Sequence, residues 1–210
     1  MYRLVYEDKD LIIVNKPAGM LCVPGLSEPQ NLFELVKKDY PNARTVHRLD
    51  MATSGLVIFP LNHATQKHIG QQFEHKLVSK SYACIVSGVV TPNSGEIHSA
   101  LMSDWENRPR QKIDWINGKQ SSTYFEVISR CEQKQQTQMK LTPITGRTHQ
   151  LRLHMLQIEH PILGDYFYHK GNSNKASTRL MLHAQHLNFT HPSQQTAIDI
   201  SCESGFKLKS

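Results

Sequence analysis

The sequence predicts an α+β fold built on a mixed or antiparallel β-sheet with helices interspersed between the strands. Short apolar runs rich in β-branched and aromatic residues dominate the chain, and such runs indicate strands. Segments with helical periodicity are interspersed, without the regular alternation of strand and helix that predicts a doubly wound sheet. A length of 210 residues and a hydrophobic content of 39% provide enough chain for one sizeable core.

Strands are expected wherever an apolar or alternating run is bounded by turn residues. The predicted strands are Arg3–Tyr6, Leu11–Val14, Gly55–Phe59, Ser81–Val86, Ser122–Ser129, Gln138–Pro143 and Met181–His191. Between Thr91 and Gly118 the chain is rich in Pro, Gly, Asn and charged residues, which predicts a long loop.

Three helices are expected where apolar residues recur at helical spacing. Asn31 is a plausible cap for the first helix, which Pro41 ends, and Asn62 is a plausible cap for a second helix that runs to about Lys76. A third helix is expected over His149–Ile158, with Leu151 on its apolar face.

Charge and composition narrow the class of protein. The formal net charge is +6 and the sequence pI is about 9.1, which suits a polyanionic partner. The four cysteines are scattered, so free thiols in a reducing compartment are expected. No apolar run approaches the roughly 20 residues that span a bilayer, and the charged N-terminus is unlike a signal peptide. A cytoplasmic protein is therefore expected.

A charged loop stands directly before the strand Gly55–Phe59. It places Asp50 between Arg48 and the small-residue turn of residues 52–55. An acid on a loop that is held by a rigid strand is a favourable place for chemistry. The alternative is a turn-forming aspartate that is bonded to nearby backbone amides.

The motif His47–Gly55 resembles the active-site motif of the RluA family of RNA pseudouridine synthases. The resemblance extends over nearly the whole chain and includes four further segments: Val14–Gly19, Lys80–Tyr82, Pro143–Arg152 and His160–Asp165. It implies the same α+β class, as a pseudouridine synthase catalytic fold: a long, curved sheet with flanking helices on its faces and a central active-site cleft. We expect a single catalytic domain over residues 1–210, without the N-terminal S4-like domain of many relatives, because the first strand begins at residue 3.

The resemblance also implies three catalytic roles. Asp50 is the catalytic carboxylate. Tyr82 stacks on the target uracil and is a candidate for proton transfer at C5. Arg147 lies beside the catalytic carboxylate, where a cation favours the ionised form. The alternatives are a core tyrosine bonded through its hydroxyl at the rim and a structural arginine in the turn after Gly146.

Further residues are expected to contact RNA. Arg48 is expected to fill the gap that a flipped nucleotide leaves, or to contact a phosphate. Candidates for phosphate contacts are Lys16, Arg108, Arg110 and Lys112, although the last three also fit a solvated loop. Leu151, in the motif after Arg147, is a further candidate for substrate binding.

No cofactor or metal is expected. The histidine pairs His149/His154 and His183/His186 lack a third ligand at a plausible spacing, and the reaction of the family needs no redox cofactor. His149 is instead expected to fix the loop around Arg147.

The short chain, the missing S4-like domain and the Asn-Arg-Pro loop at residues 107–109 resemble one particular short member of the family. We expect a monomer whose partner is RNA and not a membrane. Its expected targets are a uridine of the tRNA anticodon loop and a uridine in a hairpin of large-subunit rRNA. The alternatives are a family member that acts on another uridine, a non-catalytic RNA-binding module, and a glycoside or nucleoside hydrolase. A hydrolase would normally need a second carboxylate, for which no motif is present.

Overall fold

The computed structural model describes residues 1–25, 30–169 and 177–208. The elements in chain order are β1 (Arg3–Glu7), β2 (Leu11–Lys16), α1 (Leu32–Asp39), β3 (Ser54–Pro60), α2 (His63–Glu74), β4 (Ser79–Ser87), β5 (Ser94–Ser103), β6 (Gln111–Ile113), β7 (Lys119–Cys131), β8 (Gln136–Pro143), α3 (Gln150–Gln157), β9 (Leu182–Thr190) and β10 (Ala197–Ser201). The predicted α+β class is confirmed, with parallel and antiparallel strand pairs. None of the helices that the structure describes is long and apolar enough to cross a membrane.

The chain divides into two compact units. The first comprises Met1–Lys80 and His183–Ser204, and the second comprises Ser81–Leu182 and Gly205–Ser210. In the first unit the strand order is β1-β2-β3-β9, with β10 beside β9. All of these pairs are antiparallel except β3–β9, which is parallel.

The core of the first unit joins both ends of the chain. Its buried side chains come from β2, β3, α2, β9 and β10, and they include Leu11, Ile13, Leu56, Ile58, Ile69, Leu187, Phe189 and Ile198. Both predicted helix caps are present: Asn31 Oδ1 accepts from Glu34 N at 3.0 Å, and Asn62 Oδ1 accepts from Thr65 N at 2.8 Å. These caps fix where α1 and α2 begin.

The second unit is an antiparallel sheet with the order β4-β8-β7-β5-β6. Leu101 on β5 and Leu153 on α3 pack with Tyr168 in one buried cluster, which holds the helix against the sheet. Phe206, from the end of the chain, packs with Ala83 and Ile85 of β4 in another cluster.

The prediction of a long loop over residues 91–118 is wrong. This segment contains β5 and β6, and β5 pairs with β7 from Ser94↔Glu126 to Leu101↔Lys119. Ser99 is buried on β5 opposite Ser121 of β7, and Ser121 Oγ donates to the Ser99 carbonyl at 2.8 Å. A hydroxyl with a cross-strand partner can be buried without penalty. The strand β10 was also not predicted.

Candidate active site

The loop that carries Asp50 is a short turn before β3. Thr53 N donates to Asp50 O at 3.1 Å, and β3 begins at the next residue, Ser54. Asp50 is half-buried, while Leu49 before it is buried and Arg48 is exposed. The leucine therefore anchors the loop, and the arginine next to it is open to solvent.

Lys16, at the end of β2, is fully buried. Its Nζ donates to the carbonyls of Pro17 at 2.8 Å, Met20 at 2.8 Å and Met51 at 3.1 Å. Gly19 N donates to the same Met51 carbonyl at 2.9 Å. The residue directly after Asp50 is thus fixed by two donors, and the Lys16 ammonium points to the backbone rather than to solvent.

His47, the first residue of the motif, is held on β3. Its Nε2 accepts from Ile58 N at 2.9 Å, and its ring stacks on Phe73 with centroids 4.7 Å apart. Burial, with a smaller effect of the nearby Lys80 charge, lowers the pKa of His47 to about 3. The imidazole is therefore neutral at physiological pH and can serve as the acceptor that this bond requires.

The start of β3 is locked to β9. Ser54 Oγ lies 2.8 Å from His183 Nδ1, and His183 Nε2 lies 3.0 Å from Cys202 O. Gly55 has a φ of 122°, and a Cβ there would overlap the backbone of Ala184. The two backbones lie so close here that no side chain larger than the hydrogen of glycine fits between them. This explains why the motif has a glycine at position 55. The loop of Asp50 is thus held at both ends and at Met51.

In the second unit, Tyr82 lies on β4 opposite Leu141 of β8. It is half-buried between the buried Ser81 and Ala83. Alternation across the strand places Tyr82 on the opposite face from its two neighbours. The ring is therefore held by a rigid strand and remains partly accessible.

Arg147 lies in the turn between β8 and α3 and is exposed. Its Nε donates to Gln120 O on β7 at 3.2 Å, and its backbone N donates to Gln150 Oε1 at 3.0 Å. Gln150 Nε2 in turn donates to Ser122 O and lies 3.0 Å from Thr123 Oγ1, so this glutamine fastens the turn to β7. The arginine of the motif is thus positioned by a hydrogen-bond network within one unit.

Other residues of this motif lie inside the fold. His149 is in the left-handed region with a φ of 55°, and its Nδ1 lies 2.6 Å from Tyr168 Oη. The predicted substrate residue Leu151 is buried in α3. Arg152, for which the sequence predicted no role, forms a buried bidentate pair with Asp165 through two bonds of 2.7 Å.

The predicted phosphate contacts on the β5–β6 segment differ in their surroundings. Arg108 is exposed, and its guanidinium carbon lies 3.2 Å from the centroid of the Trp105 ring. Arg110 is partly buried, 5.9 Å from the centroid of Phe167, and Lys112 is exposed on β6. A guanidinium that stacks through its face can still donate from its edge, so stacking is compatible with a phosphate contact.

Asp8, Asp10 and His191 bring three possible metal-ligand atoms within 4.8 Å of one another. His191 Nδ1 accepts from Ser193 N and Gln194 N, so Nε2 carries the proton and donates to Asp8 Oδ2 at 2.8 Å. Ser193 Oγ and Asn62 Nδ2 donate to Asp10. Because each of these groups already has hydrogen-bond partners, the cluster is a polar network that joins the β1–β2 turn to the end of β9.

Comparison with known proteins identifies the family of this chain. A family model described as RNA pseudouridylate synthase matches residues 10–157. The chain is 44% identical over 206 residues to the dual-specificity RNA pseudouridine synthase RluA of Yersinia pestis, covering 97% of this chain and 99% of that protein. The corresponding protein of Haemophilus influenzae strain Rd is 43% identical, with 97% and 93% covered.

A solved structure supports the same assignment. Human RNA pseudouridylate synthase domain containing 1 has a TM-score of 0.83 and is 26% identical, with 97% of this chain and 83% of that chain covered.

Proposed function

Because the chain belongs to the RNA pseudouridine synthase family and is of the RluA type, we propose that Asp50 carries its chemistry. The enzyme is an isomerase that converts uridine to pseudouridine in RNA. What supports Asp50 is its position: a half-buried carboxylate on a loop that β3, Lys16 and Gly19 hold in place. A fixed carboxylate is pre-organised for reaction.

The reaction breaks one bond and makes another without gain or loss of atoms. The bond between uracil N1 and ribose C1′ breaks, the base turns, and C5 joins C1′. The proton of C5 leaves and N1 acquires one. In our proposal the ionised Asp50 acts at the sugar, either by attack on C1′ or by removal of the 2′ proton.

The remaining residues are proposed to hold the substrate. The Tyr82 ring stacks on the flipped uracil and its hydroxyl takes part in proton transfer at C5. Arg147 keeps the role that the family resemblance implies, a cation that favours the ionised carboxylate. Arg48, exposed near Asp50 in the sequence, fills the gap in the RNA stack or binds a phosphate.

For Lys16 we propose a positioning role in place of a phosphate contact. Its ammonium has three carbonyl partners, and it would have to leave them to reach RNA. A buried cation that loses its partners costs several kcal/mol by order of magnitude. Arg108, Arg110 and Lys112 remain the proposed phosphate contacts. Leu151 is buried in α3 and remains a proposed substrate-binding residue.

The proposed substrates are a uridine in the tRNA anticodon loop and a uridine in a hairpin of 23S rRNA. The supporting observation is 43–44% identity over 97% of the chain to synthases that are named dual-specificity. The family match at residues 10–157 includes parts of both compact units, which supports the proposal of a single catalytic domain. We propose the cytoplasm as its location.

The test compares Asp50→Asn with wild type on a tRNA anticodon stem-loop and on an rRNA hairpin. Asn has the same shape as Asp but no charge, so we expect pseudouridine formation to fall by about 10³-fold or more, with folding and RNA binding nearly unchanged. Glu132→Gln makes the same chemical change on an exposed turn and serves as the control. Substantial turnover by Asp50→Asn would show that another group does the chemistry. A wild type that binds both RNAs and modifies neither would favour the RNA-binding module.

A further inference from the structure

Both tryptophans of the sequence are on the surface. Trp105 is 68% exposed and Trp115 is 61% exposed, and the neighbouring Ile116 is 92% exposed. Among the described residues, the large aromatic side chains that are exposed all lie in the second unit: Trp105, Trp115, Tyr124 and Tyr166. Large apolar side chains grouped on a surface mark a binding site more often than single ones do.

The turn that carries Trp115 has a well-defined backbone. Asp114 Oδ1 accepts from Ile116 N at 3.1 Å and from Asn117 N at 2.9 Å, and Gly118 N donates to Asp114 O at 2.9 Å. A Cβ at Gly118 would overlap the backbones of Asp114 and Ala100. The exposed indole is thus presented by a pre-formed turn, which reduces the entropy that a ligand must overcome.

This turn leads directly to the carbonyl that holds Arg147. Trp115 lies five residues before Gln120, whose O accepts from Arg147 Nε at 3.2 Å. Five residues of extended chain span at most about 18 Å. The indole therefore lies close enough to Arg147, an arginine of the proposed active site, for a strand of a few nucleotides to reach both residues.

Cations accompany the two tryptophans along this segment, and one of them contacts Trp105. The Arg108 guanidinium stacks on Trp105 at 3.2 Å, and Arg110, Lys112 and Lys119 follow along the segment. The acids of the same segment are Asp104, Glu106 and Asp114, and the Asp114 carboxylate is bonded to the backbone of its own turn. Aromatic rings beside cations are the combination with which proteins bind single-stranded nucleic acid.

We propose that Trp115 stacks on an unpaired base of the RNA substrate, within a few nucleotides of the target uridine, while the Trp105–Arg108 pair contacts the same strand. The inference rests on the proposed function, because it requires an RNA ligand. It adds a contact to a base that is not the one modified. Only a base outside a duplex offers its face to an indole, so Trp115 favours loops over paired stems.

The experiment uses the full chain and two probes, an RNA hairpin with an unpaired loop that contains uridine and a blunt duplex of the same stem. In Trp105→Phe, Trp115 is the remaining tryptophan. We expect its fluorescence to change on titration with the hairpin and to change little with the duplex. We expect Trp115→Ala to raise the hairpin Kd about 5- to 100-fold, the usual effect of losing one stacked base.

Two control variants and one kinetic measurement make the result specific. Trp115→Phe keeps a ring and should bind nearly as wild type does, and Ile116→Ala removes exposed apolar surface beside it with little effect. For Trp115→Ala, KM should rise while kcat at saturating RNA is unchanged. Hairpin binding without a change in Trp115 emission, or equal losses for Ile116→Ala and Trp115→Ala, would overturn the inference. Failure of wild type to bind or modify the hairpin would refute the proposed function itself, and this inference with it.

Discussion

Among single residues, Lys16 contributes to the site through a buried charge. An ammonium has three donors, and the three carbonyls of Pro17, Met20 and Met51 match that number. Pro17 and Met20 lie in the turn after β2 and Met51 lies in the Asp50 loop, so one side chain fastens the end of β2 to the residue after Asp50. A neutral side chain at position 16 would leave these carbonyls without the charged partner that now satisfies them.

Tyr82 allows the stacking role and the chemical role to be separated. Tyr82→Phe keeps the ring and removes the hydroxyl, so we expect RNA binding to be retained while single-turnover pseudouridine formation falls by about 10²–10⁴-fold. The reason for expecting a chemical role is that Phe would serve equally well if stacking alone were needed. Tyr40→Phe, at the end of α1, is the matched loss of a hydroxyl and should leave the rate unchanged. A full single-turnover rate for Tyr82→Phe would show that the hydroxyl takes no part in the chemistry and that the residue serves only for stacking.

At the level of elements, the junction of β3 and β9 sets the position of the Asp50 loop. The parallel pairing covers only Ser54↔His183 and Gly55↔Ala184, and Gly55 is where the two backbones come closest. Close backbone approach requires the absence of a side chain. The glycine of this motif is thus explained by a neighbour that lies far away in the sequence.

The steric role of Gly55 at this junction can be tested by comparing an alanine substitution there with one in α2. Gly55→Ala should destabilise the fold by about 3 kcal/mol or more, because its Cβ would overlap Ala184 and its φ is 122°. Gly70→Ala is the control: Gly70 lies in α2, where a Cβ would meet no atom of another element within 4 Å, and alanine should stabilise the helix by about 0.5–1 kcal/mol. Urea denaturation measures both. An equal effect of the two substitutions would contradict the steric role of Gly55.

Local signals account for the elements that the sequence predicted. Asn31 and Asn62 cap α1 and α2 as expected, since a cap depends on residues only three positions apart. β5 was missed because its buried Ser99 needs Ser121 of β7, a partner that no local window contains. The same applies to Lys16, whose hydrogen-bond partner Met51 lies 35 residues away. The sequence therefore predicts which motif residues form the site, but it does not predict the distant residues whose contacts hold them in place.

At the level of the whole molecule, buried neutral histidines link stability to pH. Burial, with a smaller effect of the His98 charge, lowers the pKa of His154 to about 4. His154 is fully buried between the hydroxyls of Ser121 and Thr123. The unfolded chain binds a proton at this residue below about pH 6.5 and the folded chain does not, so acid favours unfolding. His47 acts in the same direction.

We therefore expect stability to be fully present above about pH 6.5 and to decline as the pH falls towards 4, with His154 contributing up to about 1.4 kcal/mol per pH unit. His154→Gln keeps hydrogen-bonding groups but does not titrate, so it should flatten this dependence while lowering stability at pH 7. His63→Gln, on the exposed first turn of α2, is the control. Urea unfolding at intervals between pH 4.5 and 7.5 measures the slopes. Parallel curves for His154→Gln and wild type would exclude this residue as a cause.

The division of the chain between the two units has a consequence for synthesis on the ribosome. The core of the first unit needs Leu187, Phe189 and Ile198, and the second unit needs Phe206 against β4. At about 5–20 residues per second, Lys80 leaves the peptidyl-transferase centre some 5–20 s before His183 is added. During that interval the apolar faces of β2 and β3 lack their final cover. In a nascent chain both cores therefore stay incomplete until residues 187–206 have been added, and the apolar strand faces are open to chaperone binding during that time.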